Sequence, residues 1–279
     1  MKSRTEMDEN VNSSLSRRSF LRQSGLGLLG LSISPGFGLL RQPVASKHKN
    51  TMEKTTYEVI VIGGSYAGLS AGMALGRSLR NTLIIDSGKP CNAQALHSHN
   101  FITQDGRTPA DITEDARKQV LAYPTVSLVR DLAVEAAGEN GRFTLTTQSG
   151  AEYRAQKLLF ATGVRDLMPP IQGFADCWGR SVIHCPYCHG YEVKGETTGI
   201  LVNDESAEEF ARLIRHWTPN LTVLTNGVAE FDQQTMAEMG IPCIEKPVAE
   251  LVHEGGQLVA LRFADGSQEG LKALYHRPA

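Results

Sequence analysis

The chain has 279 residues, of which 41% are hydrophobic and 21% charged, as in a globular protein with one large or two medium domains. Its formal net charge of −2 argues against a nucleic acid or an anionic membrane surface as partner. Five cysteines, one close pair and three singles, are too few and too unevenly spaced for a disulfide scaffold, and they favour redox or metal chemistry.

The first predicted segment, residues 1–46, is a leader and linker rather than part of the fold. Within the sequence Ser16-Arg17-Arg18-Ser19-Phe20-Leu21-Arg22, Arg17 and Arg18 match the paired arginines of a twin-arginine export signal. The mildly apolar stretch that follows is interrupted by Pro35, so no stable membrane insertion is expected. The pattern predicts an exported, periplasmic protein, with a basic tail on a cytoplasmic protein as the alternative.

The next predicted elements form a βαβ unit around a glycine-rich turn. Val59–Ile62 is an unbroken β-branched run, typical of a strand buried on both faces. Small residues after it let backbone N–H groups approach a pyrophosphate at the start of a helix, although Ser65 stands where a glycine is usual. A second strand, Thr82–Ile85, ends in an acidic residue that can bind a ribose hydroxyl. The unit predicts an adenine-dinucleotide site, with an ordinary βαβ unit as the alternative; its candidate residues are Gly63, Gly64, Ser65, Ala67, Gly68 and Asp86.

A hairpin and a further strand are predicted beyond this unit. Phe143–Thr147 and Glu152–Ala155 alternate apolar and polar residues around Gly150, which is the pattern of two antiparallel strands. The strand that continues over residues 157–160 ends in Ala161-Thr162-Gly163.

The second chemically informative motif is His184-Cys185-Pro186-Tyr187-Cys188-His189-Gly190-Tyr191-Glu192. Two cysteines separated by two residues can close a small disulfide, and the backbone amides at a helix start stabilise a thiolate. A neighbouring histidine, His184 or His189, can move the proton during exchange. The same residues also fit a c-type haem attachment pattern or half of a zinc site.

The rest of the sequence favours the redox disulfide among these three interpretations. A haem site leaves the dinucleotide unit without a role. A zinc site needs further ligands, and the remaining candidates are scattered without a second pair: Cys91, His97, His99 and Cys243.

Taken together, these motifs resemble the FAD-dependent pyridine-nucleotide disulfide oxidoreductases, specifically the low-molecular-weight thioredoxin reductase type, over residues 56–279. The resemblance implies an α/β fold of two Rossmann-like nucleotide-binding domains with parallel sheets, in the three-layer ββα arrangement. It implies the N-terminal part of an FAD-binding domain over residues 54–167 and an NAD(P)-binding-like domain carrying the redox disulfide over residues 168–275, in a chain that forms homodimers when it is full length. It adds four residues to the predicted FAD site: Asn100, Ala161, Thr162 and Gly163.

The cysteine motif is similar to the dithiol-oxidase branch of this family, which closes disulfides on small molecules and passes electrons from flavin to oxygen. The resemblance implies that Cys185 and Cys188 exchange with a small dithiol or a thioredoxin-like protein, with Cys188 facing the flavin. His189 stands where the reductases carry an aspartate, and we expect it to be the acid–base group. A purely local hydrogen-bonding role for His189 is the alternative.

The chain departs from the family pattern in two places. The strand Gly199–Val202 runs into Asn203-Asp204-Glu205, where the family has phosphate-binding glycines, and no arginine follows Leu221–Leu224 to bind a 2′-phosphate. Cβ atoms at these positions block the close approach of a pyrophosphate and the carboxylates repel it, so the sequence makes NAD(P)H a doubtful cofactor. The family's last FAD segment would begin where this sequence ends, at Ala279, so we expect an incomplete, C-terminally truncated FAD domain.

The sequence therefore predicts an FAD-dependent thiol–disulfide oxidoreductase. One alternative is an NADPH-dependent thioredoxin reductase, which the missing glycines and arginines oppose. The alternative from another class is a truncated, non-catalytic remnant that acts only by binding.

Overall fold

A computed structural model describes residues 56–278. The predicted leader, with Arg17 and Arg18, lies outside the described residues, so export stays a prediction. Within 56–278, none of the helices has the length and apolar character that crossing a bilayer requires.

The first part of the chain builds a six-stranded sheet in the order β3-β2-β1-β6-β5-β4. The pairs β3-β2, β2-β1 and β1-β6 are parallel, and β4, β5 and β6 form an antiparallel meander. Two helices, α1 and α2, connect the parallel strands. The elements are β1 (Thr56–Ile62), α1 (Tyr66–Arg77), β2 (Thr82–Asp86), α2 (Pro109–Leu121), β3 (Val126–Arg130), β4 (Ala133–Glu139), β5 (Arg142–Thr147) and β6 (Glu152–Phe160).

The second part contains a five-stranded parallel sheet, β10-β9-β8-β14-β7, and a three-stranded antiparallel sheet, β11-β12-β13. The elements are α3 (Phe174–Cys177), β7 (Val182–Ile183), α4 (Pro186–His189), β8 (Thr198–Leu201), α5 (Ala207–Ile214), β9 (Leu221–Leu224), α6 (Gln234–Glu238), β10 (Cys243–Ile244), β11 (Val248–Glu254), β12 (Gln257–Phe263), β13 (Gln268–Glu269) and β14 (Ala273–His276).

The central strands of the first sheet are buried on both faces. Ile60 and Ile62 point to one side, where they pack with Leu145 from the meander, and Val61 points to the other, where Leu69 of α1 covers it. Successive strand residues face opposite sides, so a run of β-branched residues fills two cores at once. Each side chain buried in this way contributes about 1.5–3 kcal/mol.

The predicted fold class is confirmed, with parallel sheets, covering helices and an antiparallel layer in both parts of the chain. The hairpin around Gly150 is present as β5 and β6. The domain boundaries at residues 54, 167 and 275 stay a prediction.

One end of β6 differs from the other central strands. Beyond Gln156, in the described part of the chain, β6 pairs with β1 alone and its second edge has no partner strand. Leu159 is 37% exposed and Phe160 is 67% exposed. A parallel strand with an open edge and exposed apolar side chains is unusual, because such strands are normally covered on both faces.

Candidate functional site

The predicted nucleotide turn lies between β1 and α1, and its glycines are required by its geometry. Gly63 has a φ of +105°. A Cβ atom on Gly63 would lie 2.2 Å from the carbonyl oxygen of Ala161, and one on Gly68 would lie 1.8 Å from the carbonyl oxygen of Gly63. Side chains at these positions would collide with backbone. The turn therefore presents bare backbone at the N-terminus of α1, where N–H groups and the helix dipole favour an anion.

Asp86, at the end of β2, stabilises this turn through a hydrogen bond. Its Oδ1 accepts a hydrogen bond from the Gly64 N–H at 3.1 Å, and its Oδ2 accepts one from the Arg130 guanidinium. Arg130 ends the neighbouring strand β3, directly beside Asp86 in the sheet register. Asp86 is only 9% exposed, so this charge-assisted contact fixes the orientation of the carboxylate. Each carboxylate oxygen can accept a second bond, which leaves Asp86 able to bind a ribose hydroxyl.

Two cavities flank the turn and share Gly64, Ser65 and Asp86. The first has a volume of about 670 Å³ and lies towards α2, with Arg117 and Arg130 in its wall. The second has a volume of about 510 Å³ and extends along the predicted Ala161, Thr162 and Gly163. A glycine cradle between two such cavities fits a long dinucleotide with its pyrophosphate on the turn. The residues of this chain therefore fit FAD.

Asn100 is the predicted FAD residue that this arrangement does not include. It is exposed, has a φ of +57°, and donates its backbone N–H to Asp105 Oδ1 at 2.9 Å. Asn100 lines neither cavity. Its predicted contact with the cofactor stays a prediction.

The two motif cysteines are held by one helical turn. Cys185 caps α4, and its carbonyl oxygen accepts hydrogen bonds from the N–H groups of Cys188 and His189, both at 3.2 Å. Both thiols are half-buried and free. Burial raises the pKa of the Cys188 thiol, and the adjacent Cys185 raises it further. For Cys188, the expected stabilisation of a thiolate by the helix start is therefore outweighed by burial.

His189 directly follows the cysteine pair, and the hydrogen-bonding groups of its ring are unsatisfied in the described part of the chain. Both of its ring nitrogens are buried and lack a hydrogen-bond partner within residues 56–278. Burial lowers the pKa of His189, and His184 and His99 lower it further, whereas the nearby Glu192 raises it. Ring nitrogens that have no fixed partner among the described residues can exchange a proton, which is compatible with the predicted acid–base role. His184 instead stacks on Trp178, with ring centroids 5.8 Å apart.

Tyr275 is a buried polar group near the cysteines that the sequence does not reveal. It is fully buried in β14, opposite Ile183 of β7, and packs edge-on against Phe210 with ring centroids 6.1 Å apart. Its hydroxyl has no hydrogen-bond partner among the described residues. Burial raises the pKa of Tyr275, and the charges of Cys185 and Glu192 raise it further. In the sequence, Tyr275 belongs to a mostly apolar run that predicts only a core strand.

The loops that follow β8 and β9 lie at the carboxyl end of the second parallel sheet, and we call the space between them the second crevice. These loops differ from the glycine turn after β1. Asn203, just after β8, donates from Nδ2 to the Val228 carbonyl oxygen at 3.0 Å and accepts the Glu230 N–H at Oδ1 at 2.8 Å. Asp204 accepts the Ser206 N–H at 2.8 Å. Asn203 thus joins the loops that follow β8 and β9, where an open α/β sheet normally binds its ligand.

Apart from Asn100, the predicted site residues lie in two places: at the turn after β1 with the end of β6, and on α4 with the cysteine pair and His189. No group of three or more His, Cys, Asp or Glu side chains between residues 56 and 278 is arranged to hold a metal ion.

Comparisons with known proteins agree on one family. The pyridine nucleotide-disulphide oxidoreductase family matches residues 57–203. The chain is 31% identical to the thioredoxin reductase sirT of Leptosphaeria maculans, covering 80% of this chain and 74% of that protein.

Solved structures give the same result at the level of the fold. An oxidoreductase from Agrobacterium tumefaciens is 36% identical with a TM-score of 0.75, covering 80% of this chain and 75% of that one. A putative thioredoxin reductase, TrxB, from Bacillus anthracis is 30% identical with a TM-score of 0.76, covering 80% of this chain and 76% of that one.

Proposed function

The chain belongs to the pyridine nucleotide-disulphide oxidoreductases of the thioredoxin reductase type, and we propose that its redox centre is the pair Cys185–Cys188. It is accordingly an FAD-dependent oxidoreductase that acts on sulfur groups. The observation that supports this centre is the arrangement of two half-buried thiols on one helical turn, next to His189, whose buried ring nitrogens have no hydrogen-bond partner within residues 56–278. The proposed substrate is a small dithiol or a thioredoxin-like protein, and the proposed assembly is a homodimer.

The proposed exchange begins with the pair as a disulfide. A substrate thiolate attacks Sγ of Cys185, the bond between Cys185 and Cys188 breaks, and Cys188 leaves as a thiolate. The second substrate thiolate then attacks the substrate sulfur of this mixed disulfide and releases Cys185. The substrate becomes a disulfide, and its two electrons remain on the cysteine pair.

His189 moves the protons of this exchange. The substrate thiols must lose protons to react, and the Cys188 thiolate is costly where it is buried, because its pKa is raised. Burial lowers the pKa of His189, so its ring is neutral at neutral pH and can accept a proton next to the pair. When bound, FAD supplies the two-electron acceptor that restores the disulfide.

The second crevice supports a dithiol, rather than a reduced nicotinamide, as the electron source. A pyrophosphate needs exposed backbone at the turn after β8, and this turn carries Asn203, Asp204 and Glu205 instead. The Asn203 side chain is also engaged with the next loop on both its donor and acceptor sides.

An anaerobic titration of the flavin-loaded chain tests the proposal. We expect dithiothreitol to bleach the visible flavin band of the wild type and of Cys243→Ser, a matched removal of a half-buried thiol. In Cys188→Ser this reduction should be lost while the flavin stays bound. NADPH should reduce the wild type far more slowly than the dithiol does.

Two results would contradict the proposal. Rapid bleaching by micromolar NADPH would favour the NADPH-dependent thioredoxin reductase instead. A flavin that neither reagent reduces would favour the non-catalytic remnant.

A further inference from the structure

Buried polar side-chain atoms without a hydrogen-bond partner gather at the two cavities in the first part of the described chain. Between residues 56 and 160 they belong to three side chains: the hydroxyls of Tyr66 and Thr125, and Nε of Arg117. Tyr66 lines the cavity of about 510 Å³, and Arg117 lines the cavity of about 670 Å³. Buried polar groups normally have partners, so the walls of both cavities are of the kind that a polar ligand completes.

Arg117 lies on the face of α2 that borders the larger cavity. Ala110 and Glu114 line the same cavity, and they precede Arg117 by seven and three residues. These spacings place the three residues on one side of the helix. Gly64 and Ser65 of the glycine turn line the same cavity from β1 and α1. Arg117 and the backbone of the turn therefore border one space.

The positive charge of Arg117 is only partly matched by the protein. Its side chain is 21% exposed, the least among the arginines that form an ion pair within residues 56–278. Nη1 donates to Glu114 Oε2 at 2.6 Å, but the Glu114 side chain is 50% exposed and is shared with Lys118 at 4.0 Å. Nε is buried and has no partner among the described residues. An arginine carries five N–H donors and stays charged, so Arg117 retains donors for an anion.

The other charged groups in this wall are already engaged. Asp86 and Arg130 form an ion pair with each other, and Asp111 Oδ2 accepts a hydrogen bond from the Thr108 hydroxyl at 2.8 Å. Within residues 56–278, Arg117 is thus the cation of this wall that has a buried donor without a partner. An anionic group in the cavity would meet Arg117 from α2 and the N-terminus of α1 from the turn.

We propose that Arg117 is a cofactor-binding residue that holds a phosphate of the FAD pyrophosphate against the glycine turn. The turn supplies backbone N–H groups and the helix dipole, and Arg117 supplies charged donors from a second helix. Arginine suits this role because its planar fork matches the oxygens of a phosphate group. The inference concerns binding and goes beyond the proposed redox function, so it does not depend on proton or electron transfer at the cysteine pair.

Equilibrium binding of FAD to the full chain, stripped of flavin, tests this assignment through the change in FAD fluorescence. Arg117→Met keeps the apolar stem and removes the charged donors, so we expect FAD to bind roughly 10- to 100-fold more weakly. Arg117→Lys keeps the charge without the fork and should lie between wild type and Arg117→Met. Lys118→Met is the matched control, because Lys118 is the next residue of α2, is 67% exposed and lines neither cavity. This control should bind FAD as wild type does.

Competition by two fragments of the cofactor identifies the part of FAD that Arg117 contacts. ADP carries the pyrophosphate without the flavin, so Arg117→Met should raise the inhibition constant of ADP by about the same factor as it weakens FAD binding. Adenosine carries no phosphate, so its inhibition constant should be the same for wild type and Arg117→Met.

The outcomes decide between phosphate binding and a structural role. Weaker binding of FAD and ADP with unchanged binding of adenosine would support the proposal. Unchanged FAD binding in Arg117→Met would overturn it, and so would an equal loss for adenosine or a wild-type chain that binds neither FAD nor ADP. If Arg117→Met fails to fold, an Arg117→Lys chain that binds FAD as tightly as wild type counts against the proposal. Failure of the proposed redox function would look different, because FAD would bind as described here and dithiothreitol would not reduce it.

Discussion

Two parallel strands of this protein, β1 and β8, are each followed by a turn and a helix. The two turns share this topology and differ in how accessible their backbone is to a ligand. After β1, Gly63, Gly64 and Gly68 present bare backbone between two cavities. After β8, Asn203 fills the corresponding place and joins the next loop through two hydrogen bonds. We propose on this basis that strand, turn and helix alone do not make a nucleotide site. The first turn borders two cavities, whereas the Asn203 side chain ties the second turn to the loop after β9.

The largest effect is expected from filling the first turn. Gly68→Val places its Cβ 1.8 Å from the Gly63 carbonyl oxygen, so the turn cannot keep its form and FAD binding should be lost. The measurement is the ratio of flavin to protein after purification. Gly270→Val is the control, since a Cβ there meets no atom within 4 Å. A Gly68→Val protein that retains one flavin per chain would show that this turn is not the pyrophosphate site.

An intermediate effect is expected at the redox motif in the second part of the chain. His189→Ala should slow dithiol-driven flavin reduction by roughly 10²-fold, because it removes the proton acceptor beside the pair. FAD content should not change. His184→Ala is the comparison, because the His184 ring stacks on Trp178, whereas the His189 ring nitrogens have no hydrogen-bond partner in the described part of the chain. A larger loss in His184→Ala than in His189→Ala would transfer the role to His184.

The smallest effect is expected in the second turn. Asn203→Ala removes both hydrogen bonds to the loop after β9 and should lower the free energy of unfolding by about 1 kcal/mol in a urea titration. Asn203→Asp keeps the acceptor for the Glu230 N–H and should lose less. Neither variant should gain reduction by NADPH, because Asp204 and Glu205 remain. NADPH activity appearing in Asn203→Ala would mean that Asn203 alone blocks the crevice.

The sequence predicted the elements that depend on local pattern. The strand before the glycine turn, the hairpin around Gly150 and the strand Leu221–Leu224 are all present, because alternation and β-branched runs act over a few residues. The contacts of Arg130 with Asp86 and of His99 with Glu192 were not predicted. Both join residues far apart in the chain, and only the packing of neighbouring elements brings them together.

The environment of Tyr275 could not be predicted from the sequence for a different reason. In sequence it is one more large residue in a buried strand, and its environment is set by β7 and by Phe210 of α5. Whether a buried hydroxyl finds a partner depends on atoms that no local pattern specifies.

The open edge of β6 has a consequence for handling the protein. Beyond Gln156, no strand within residues 56–278 pairs with this edge, which lies beside the exposed Leu159 and Phe160. Such an edge is a template on which a strand from another molecule can add, and apolar side chains at that point make the addition favourable. In concentrated solution, we therefore expect copies of the chain to associate through this edge. A binder that covers the edge should reduce this association without contacting the turn after β1 or the turn after β8.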